Sequence, residues 1–433
     1  MPLTKSLSGA AKLNAATPGD RDRAVDVGRL GALLVVIFGH CALLLATIED
    51  GGVRIGNSLG ELPAAAPVTW ILQVMPLFFF AGGAAGAYGW HPGSAWGTWL
   101  VRRAQRLCRP LFWYLAAWSI GLAVVHLTLG AESAADLGRE VVALLWFLGV
   151  YLVVLAFVPA LTRLTSGRAA LALIAALLAA AGAFDALRIV AGNDLFGVMN
   201  FVVVWLIPMV IGVAYARNLV TVRAALLGAL AALTAQILLV VSGPYEVALV
   251  VTGIEELSNT SPPTLLLGLH CTWMSCLFVA SAGPIRRWAE RPRVWYVVAT
   301  GNGGAMTLYL WHIVAIAIAA FSLHAVGRDA FDVNAPDFWA MLVLRAVVFA
   351  VVMAVMFRLL SPLEHRRLPW WDVPVQATGA RSTTAGVLIV VAGVVLTLVA
   401  KHGLTGATGW ALLGFFTASA VAARATARVS VSA

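Results

Sequence analysis

Residues 28–48 read GRLGALLVVIFGHCALLLATI, an apolar run long enough to cross the hydrocarbon core of a membrane, about 30 Å, as a helix. The whole chain has the same character, because 61% of its 433 residues are hydrophobic and only 11% are charged. Soluble domains carry about 25% charged residues. The mean hydropathy is +0.90. The runs are continuous rather than alternating, which argues against a β-barrel. The sequence therefore predicts an all-α, polytopic helical membrane protein.

Twelve apolar spans can be marked along the chain, each near the length that a transmembrane helix needs. They lie at about 28–48, 66–88, 110–130, 140–162, 169–190, 198–216, 221–242, 262–283, 303–325, 338–361, 385–400 and 408–423. The first ten are predicted to form a core, and the last two an additional helix pair at the C-terminus.

The basic residues predict the orientation of these spans. Of the 29 lysines and arginines, 23 fall in the segments that share a side with the N-terminus, five fall on the other side, and Arg345 lies within a span. Cytoplasmic loops carry an excess of Lys and Arg. We therefore expect an integral protein of a bacterial-type cell (inner) membrane with both termini in the cytoplasm.

The net charge of +9 and the four cysteines allow simpler explanations than a nucleic-acid partner or a metal site. Because the basic residues sit in short loops between apolar runs, they are expected to control topology, and no nucleic-acid partner is expected. The cysteines form no CxxC pair, so neither a disulfide framework nor a metal site is predicted.

The first candidate site is the pair Arg29 and His40 in the first span. Eleven residues correspond to about 16 Å of helical rise and roughly three turns, so both side chains lie on one face. Ionisable groups inside a span are costly and usually functional. A neutral imidazole can act as a general base toward a hydroxyl. The alternatives are that Arg29 is a positive-inside anchor and that His40 is a packed histidine bonded to a backbone carbonyl.

The second candidate is the cytoplasmic loop RRAQRLCRP at residues 102–110. Arg103, Arg106 and Arg109 recur at intervals of three, which places neighbouring members on one side of a helical turn. Guanidinium groups bind phosphate through paired hydrogen bonds. The loop therefore suits a phosphate-bearing ligand, with topology control and anionic lipid headgroups as the alternative.

The third candidate is GNGGAMTLYLWH at residues 301–312, where a glycine-rich entry opens a helix. Tyr309 and His312 are three residues apart on that helix, and Asn302 lies in its entry. By residue count, His40, His270 and His312 all fall at similar depth in separate spans, which suggests a polar cavity. Hydrogen bonding between helices is the alternative explanation.

These features, in this order, resemble the acyltransferase-3 family of integral membrane acyltransferases over roughly residues 20–370. The resemblance is carried by Asp26 three residues before Arg29, R-x10-H from Arg29 to His40, a Phe- and Gly-rich second helix, R-x-x-R spacing in the arginine cluster, the WFL patch at 146–148 and YLWH at 309–312. The chain departs from the pattern in having no Trp-Ser-x-Ser-x-Glu-Glu stretch, which is typical of members that modify surface polysaccharide.

The resemblance implies a division of the chain and a set of roles. The domains would be a flexible cytoplasmic tail at 1–23, the acyltransferase core at 24–370, a linker at 371–384 and the helix pair with its tail at 385–433. His40 would be the catalytic histidine, and Arg29 its partner along an acyl-CoA channel. Arg103 and Arg106, or Arg106 and Arg109, would hold the CoA phosphates. Asp26, Asn302, Tyr309, His312 and His270 are the secondary site candidates.

The expected activity is transfer of an acyl group, acetyl being the expected one, from cytoplasmic acyl-CoA to a hydroxyl of a cell-envelope glycan, glycolipid or related sugar. The expected partners are acyl-CoA as donor co-substrate, the hydroxyl-bearing acceptor and membrane lipids, and no tightly bound cofactor is expected. His40 would either deprotonate the hydroxyl or carry the acyl group itself. Two alternatives remain, a transporter of a small envelope precursor that relays protons through buried histidines, and a scaffold without chemistry.

Overall fold

A computed structural model describes residues 10–49, 52–251, 257–328 and 331–428, without the side chains at 46, 48–49 and 52–55. The protein is 78% helical, and in these ranges eleven helical segments are long and apolar enough to cross a membrane. The α-helices are α1 Arg23–Leu43, α2 Ser58–Glu61, α3 Thr69–Leu72, α4 Met75–Tyr88, α5 Trp96–Ala143, α6 Trp146–Leu155, α7 Val158–Leu161, α8 Gly167–Ala191, α9 Asn200–Ala216, α10 Val222–Ser242, α11 Leu265–Ala289, α12 Pro292–Gly303, α13 Ala305–His324, α14 Phe338–His365, α15 Gly379–His402 and α16 Gly406–Thr426.

The predicted third and fourth spans both lie in one segment, Trp96–Leu155, which is why eleven segments stand where twelve spans were predicted. Gly130 interrupts α5 with φ 89° and ψ 173°, a conformation that glycine adopts without a Cβ clash. The hydroxyl of Tyr114 donates to the carbonyl of Val141 at 2.6 Å. In a straight helix these residues would stand about 40 Å apart. The chain therefore turns back at Gly130, and two antiparallel arms form.

The first helix begins and ends five residues earlier than the predicted span 28–48, because residues 44–48 are not helical. Helix α1 ends at Leu43, and strand β1 (Leu44–Glu49) pairs antiparallel with β2 (Gly52–Asn57). Hydropathy cannot separate a short apolar strand from the last turn of an apolar helix. Strand β1 packs against α13. The hairpin therefore lies against the same helix that α1 contacts.

Two compact units make up the chain. The first comprises Met1–Ala85 and Leu164–Ser361, and the second comprises Gly86–Arg163 and Pro362–Ala433. The C-terminal helix pair therefore groups with residues 86–163 of the predicted core. Helix α15 begins at Gly379, inside the segment predicted as a linker.

In the first unit, helix α1 packs against α11, α12 and α13. Its N-cap is Asp22, whose side chain accepts a hydrogen bond from the backbone N–H of Ala24. This satisfies one of the amide groups that the first helical turn leaves without a partner. Residues ahead of α1 also contact this unit, because the indole N–H of Trp295 donates to Thr17 Oγ1 at 2.7 Å.

In the second unit, close backbone approaches join the C-terminal pair to α5 and α6. A Cβ on Gly97 of α5 would collide with the carbonyl oxygen of Ser382 of α15. A Cβ on Gly149 of α6 would similarly collide with Thr397, and Gly393 faces the Gly149 carbonyl at the same crossing. Small residues let helix backbones approach closely in membranes. The two C-terminal helices are thus an integral part of this unit.

Candidate active site

Arg29 of α1 is bound to the end of α12. Its Nε donates to Asn302 Oδ1 at 2.7 Å, and its Nη2 lies 3.6 Å from Asp26 Oδ1. The Nδ2 of Asn302 donates in turn to the backbone carbonyl of Asp26 at 2.8 Å. Arg21 pairs with the other oxygen of Asp26 at 2.7 Å, and this hydrogen bond raises the pKa of Arg21. Two secondary candidates of the sequence analysis, Asp26 and Asn302, therefore hold the Arg29 guanidinium in place.

Glycines let α1 lie close to its neighbouring helices. A Cβ on Gly301 of α12 would lie 2.8 Å from Leu30 Cδ1 of α1, and a Cβ on Gly28 of α1 would lie 2.5 Å from the ring of Phe278 of α11. Both distances are shorter than a carbon–carbon contact tolerates. The glycine-rich entry that the sequence singled out thus brings α12 close to α1 and interrupts the helix at Gly304 before α13 begins.

Three turns along α1, His40 meets His312 of α13. The Nδ1 of His40 lies 2.8 Å from Nε2 of His312, and the two rings are nearly parallel, with 18° between their planes and 5.1 Å between their centroids. His312 is fully buried and His40 is half-buried. The other ring nitrogen of His312, Nδ1, lies 2.7 Å from the backbone carbonyl oxygen of Tyr309.

This chain of contacts fixes which nitrogen carries each proton. A carbonyl oxygen only accepts, so Nδ1 of His312 must carry the hydrogen that it shares with Tyr309. In a neutral ring the Nε2 of His312 is then an acceptor, and His40 must donate to it from Nδ1. The lone pair of neutral His40 is consequently on Nε2. A nitrogen in this state can remove a proton from a hydroxyl or attack a carbonyl carbon.

Arg29 and His40 do not touch, although both lie against the α12–α13 segment as their spacing predicted. Arg29 contacts Asn302 and His40 contacts His312. Tyr309 contributes through its carbonyl, and its ring centroid lies 6.5 Å from that of His312. The site thus consists of two separate polar contacts along α1, one to the end of α12 and one to α13.

His270 does not join the other two histidines, which corrects the expected three-histidine cavity. Its Nε2 donates to the backbone carbonyl of Gln73 at 2.7 Å, and its ring meets the ring of Trp273 edge-on at 5.1 Å. Among the described residues no hydrogen bond or ring contact links it to His40 or His312. His270 therefore forms a hydrogen bond between α11 and the turn that joins α3 to α4, which is close to the alternative that the sequence analysis named.

The arginine cluster lies on α5 in the second unit, and its three members differ. Arg109 forms two hydrogen bonds to Asp372, at 2.8 and 2.6 Å. The guanidinium of Arg103 lies 3.7 Å above the ring of Trp99. Arg106 is exposed. Since Arg109 is occupied by a carboxylate, the geometry leaves Arg103 and Arg106 available to a ligand.

Arg345 lies near the histidine pair. The sequence analysis counted this arginine only as a basic residue within a span. It is 2% exposed, and its Nη2 donates to the backbone carbonyl of Cys41 at 2.7 Å. Cys41 follows His40 directly, so a buried cation lies next to the backbone that carries the histidine. The sequence did contain a signal for Arg345, because a charged residue inside an apolar span is a functional candidate by default.

Comparison with known proteins adds one finding. A family model described as an acyltransferase domain matches residues 22–359. No curated protein and no solved structure matches the chain. The matched range contains both polar contacts of α1 and the arginine cluster of α5, and it ends before α15 and α16.

Proposed function

The chain belongs to the acyltransferase-3 family of membrane acyltransferases, and from this premise we propose that it transfers an acyl group, acetyl in the simplest case, from acyl-CoA to a hydroxyl. The acceptor that we propose is a cell-envelope glycan, a glycolipid or a related sugar. We further propose a bacterial-type inner membrane with both termini in the cytoplasm, which the division of basic residues, 23 against five, supports.

The observation that carries the proposal is the hydrogen-bond chain from His40 through His312 to the Tyr309 carbonyl. In our mechanism the acceptor oxygen attacks the thioester carbonyl carbon while Nε2 of His40 takes the hydroxyl proton. The new C–O bond forms, the C–S bond breaks, and the CoA thiolate leaves. The His40 imidazolium then returns the proton to the thiolate sulfur. A positioned general base of this kind accelerates a reaction typically by about 10²–10⁴-fold.

His312 is a positioning residue in this mechanism. It accepts the Nδ1–H of His40 in both charge states of the His40 ring, so the ring stays oriented while Nε2 gains and loses its proton. Its own orientation is held by the Tyr309 carbonyl. A Ser-His-Asp triad works in a similar way, because there a fixed carboxylate accepts a hydrogen bond from the catalytic imidazole and orients it.

We assign Arg103 and Arg106 to the phosphates of CoA. The ring of Trp99 covers one face of the Arg103 guanidinium, and the N–H groups in the guanidinium plane stay available for paired hydrogen bonds. Arg106 is three residues along the same helix and exposed. Arg29, oriented by Asn302 and Asp26, is assigned to the acyl-CoA path along α1.

The test is acyl-CoA binding and transfer by the full chain in nanodiscs. Replacement of His40 by Ala should leave binding intact and abolish transfer. Replacement of both Arg103 and Arg106 by Ala should weaken binding about tenfold or more. His126→Ala and Arg163→Ala are the matched controls, because both side chains are exposed, and they should behave like the wild type.

Two results would contradict the proposal. One is near-normal transfer by the His40→Ala variant, and the other is a wild-type protein that binds no CoA ester at low ionic strength. A third result would change the mechanism: a covalent acyl-histidine that is trapped from acyl-CoA without acceptor and is absent in His40→Ala. The same nitrogen of His40 would then carry the acyl group itself instead of acting as a general base.

A further inference from the structure

The C-terminal helix α16 carries a buried arginine that the proposed function does not use. Arg424 is in the last turn of α16 and is 5% exposed. Among the described residues neither its Nε nor its Nη2 has a hydrogen-bond partner, and both atoms are shielded from solvent. The residue lies outside the range that the acyltransferase family model matches. A guanidinium is always charged in proteins, so this group requires a counter-charge.

Arg424 takes part in none of the ion pairs found among the described residues. Glu132, Asp136 and Glu140 follow the turn at Gly130, close to the opposite end of the helix pair, where the N–H of Leu404 donates to the carbonyl of Gly138 at 2.8 Å. About 20 residues of helix, roughly 30 Å, separate Leu404 from Arg424. Asp372 is bound to Arg109.

The groups around Arg424 add positive charge instead. Arg428 is one turn further along the chain, and Arg381 donates from Nη2 to the Arg428 carbonyl at 3.2 Å. Val375 pairs with Arg428, and its carbonyl accepts from Arg102 Nη2 at 3.0 Å. Arg102, Arg381 and Arg428 are all exposed. Three exposed arginines are thus linked through these backbone contacts to the end of α16, which carries the buried guanidinium.

Leaving an ion without a partner in a protein interior costs several kcal/mol. We propose that Arg424 is the inner ligand of a phosphate site on the second unit, with Arg102, Arg381 and Arg428 as its rim. The planar fork binds two phosphate oxygens, and the rim arginines neutralise the remaining charge. The phosphate belongs either to the headgroup of an anionic phospholipid or to the 3′-phosphate of CoA.

The test uses the full chain in a maltoside detergent, whose sugar headgroup contains no phosphate, and it measures binding rather than turnover. One arm adds phosphatidylglycerol and, as a zwitterionic control, phosphatidylcholine. The other arm adds CoA and, as a control, dephospho-CoA, which lacks the 3′-phosphate. A ligand that binds only the folded state raises the thermal midpoint. The readouts are this shift and the dissociation constant.

Arg424→Met should weaken binding of the phosphate ligand about tenfold or more, and without ligand it should be at least as stable as the wild type, since an unpaired charge is gone. Arg424→Lys keeps the charge but loses the planar guanidinium, so its affinity for the phosphate ligand should lie between those of the wild type and Arg424→Met. Arg367→Met, which removes an exposed arginine of the same unit, should match the wild type.

A shift with phosphatidylglycerol but not with phosphatidylcholine identifies a lipid site. A shift with CoA that exceeds the shift with dephospho-CoA, and loses this excess in Arg424→Met, identifies a nucleotide site, because the other CoA phosphates can bind at Arg103 and Arg106. Equal binding by wild type and Arg424→Met overturns the proposal, and so does the absence of any shift in both arms. Failure of acyl transfer in the His40 test does not affect these outcomes.

Discussion

His40 Nδ1 and His312 Nε2 are 2.8 Å apart, and this contact between residues 272 positions apart sets the lone pair of His40 on the nitrogen that faces away from His312. A second contact, from Arg29 to Asn302, joins α1 nearer its N-terminal end to the C-terminal end of α12. The partners are eleven residues apart on α1 and ten apart along α12–α13. The two segments therefore run parallel, and together the contacts fix the register between them.

The His312 side chain should be replaceable only by a group that accepts a hydrogen bond. His312→Gln keeps an acceptor oxygen near the position of Nε2, so kcat should stay within about tenfold of the wild type. His312→Leu leaves His40 Nδ1 without its acceptor, and kcat should fall about 100-fold or more while KM changes little. Steady-state kinetics with a thermal midpoint for each variant provide the check. Equal losses in the two variants would show that His312 only packs.

Arg29 and Asn302 should behave as one unit in a double-mutant cycle. Each alanine variant should lower kcat/KM for acyl transfer, and the double variant should be little worse than either one. The coupling energy should be about 1–3 kcal/mol, as for residues in direct contact. Arg29→Ala combined with His126→Ala is the control pair, and its effects should add. Full additivity between Arg29 and Asn302 would mean that their hydrogen bond does not contribute to function.

The crossing of α4 and α9 should tolerate no side chain at its glycines. A Cβ on Gly212 would collide with the carbonyl oxygen of Phe80, and one on Gly83 with the carbonyl oxygen of Met209. Gly212→Ala should therefore destabilise the protein by about 1–3 kcal/mol. At Gly31 of α1 a Cβ meets nothing within 4 Å, and Gly31→Ala should be neutral or stabilising. Thermal midpoints of the two variants compare the sites, and an equal effect would contradict the crossing geometry.

Stability should fall at alkaline pH through Tyr245, in the loop after α10. Its hydroxyl donates to Asp185 Oδ2 at 2.9 Å, and burial, together with that carboxylate, raises the pKa of Tyr245. The unfolded chain then loses the phenol proton first, near pH 10. Stability from this group is complete below that pH and falls as the pH rises toward the folded pKa. Tyr245→Phe should have a flatter stability profile above pH 10, measured by thermal unfolding. Identical slopes would exclude this role.

The spans could be predicted from the sequence because hydropathy is a local, additive property. The reversal at Gly130 falls where the third predicted span ends, because the polar residues that follow it mark a loop in the sequence. The structure departs from the predicted first span at Leu44, where a helix gives way to a strand of the same hydropathy. A short apolar run has the same composition in either conformation, so hydropathy cannot distinguish them.

The candidate site was predictable as a set of residues but not as a set of contacts. The spacing of Arg29 and His40 predicted a shared face, and the ordered motifs indicated the family, which the match over residues 22–359 confirms. Arg103, Arg106 and Arg109 looked equivalent in sequence, yet Asp372, 263 positions away, engages only the last of them. His270 likewise looked equivalent to His312 until Gln73 was found to be its partner.

The amino-acid sequence by itself determined that the chain is a helical membrane protein with its ionisable groups in a few defined positions, because burial of apolar side chains in lipid depends on each segment separately. Only the tertiary structure decided which nitrogen of His40 carries the lone pair, which arginines are already paired, and that Arg424 is buried with no hydrogen-bond partner for its Nε and Nη2 in the described part of the chain. Each of these depends on hydrogen bonds a few ångströms long between residues far apart in the chain, and their geometry is set by how the helices pack.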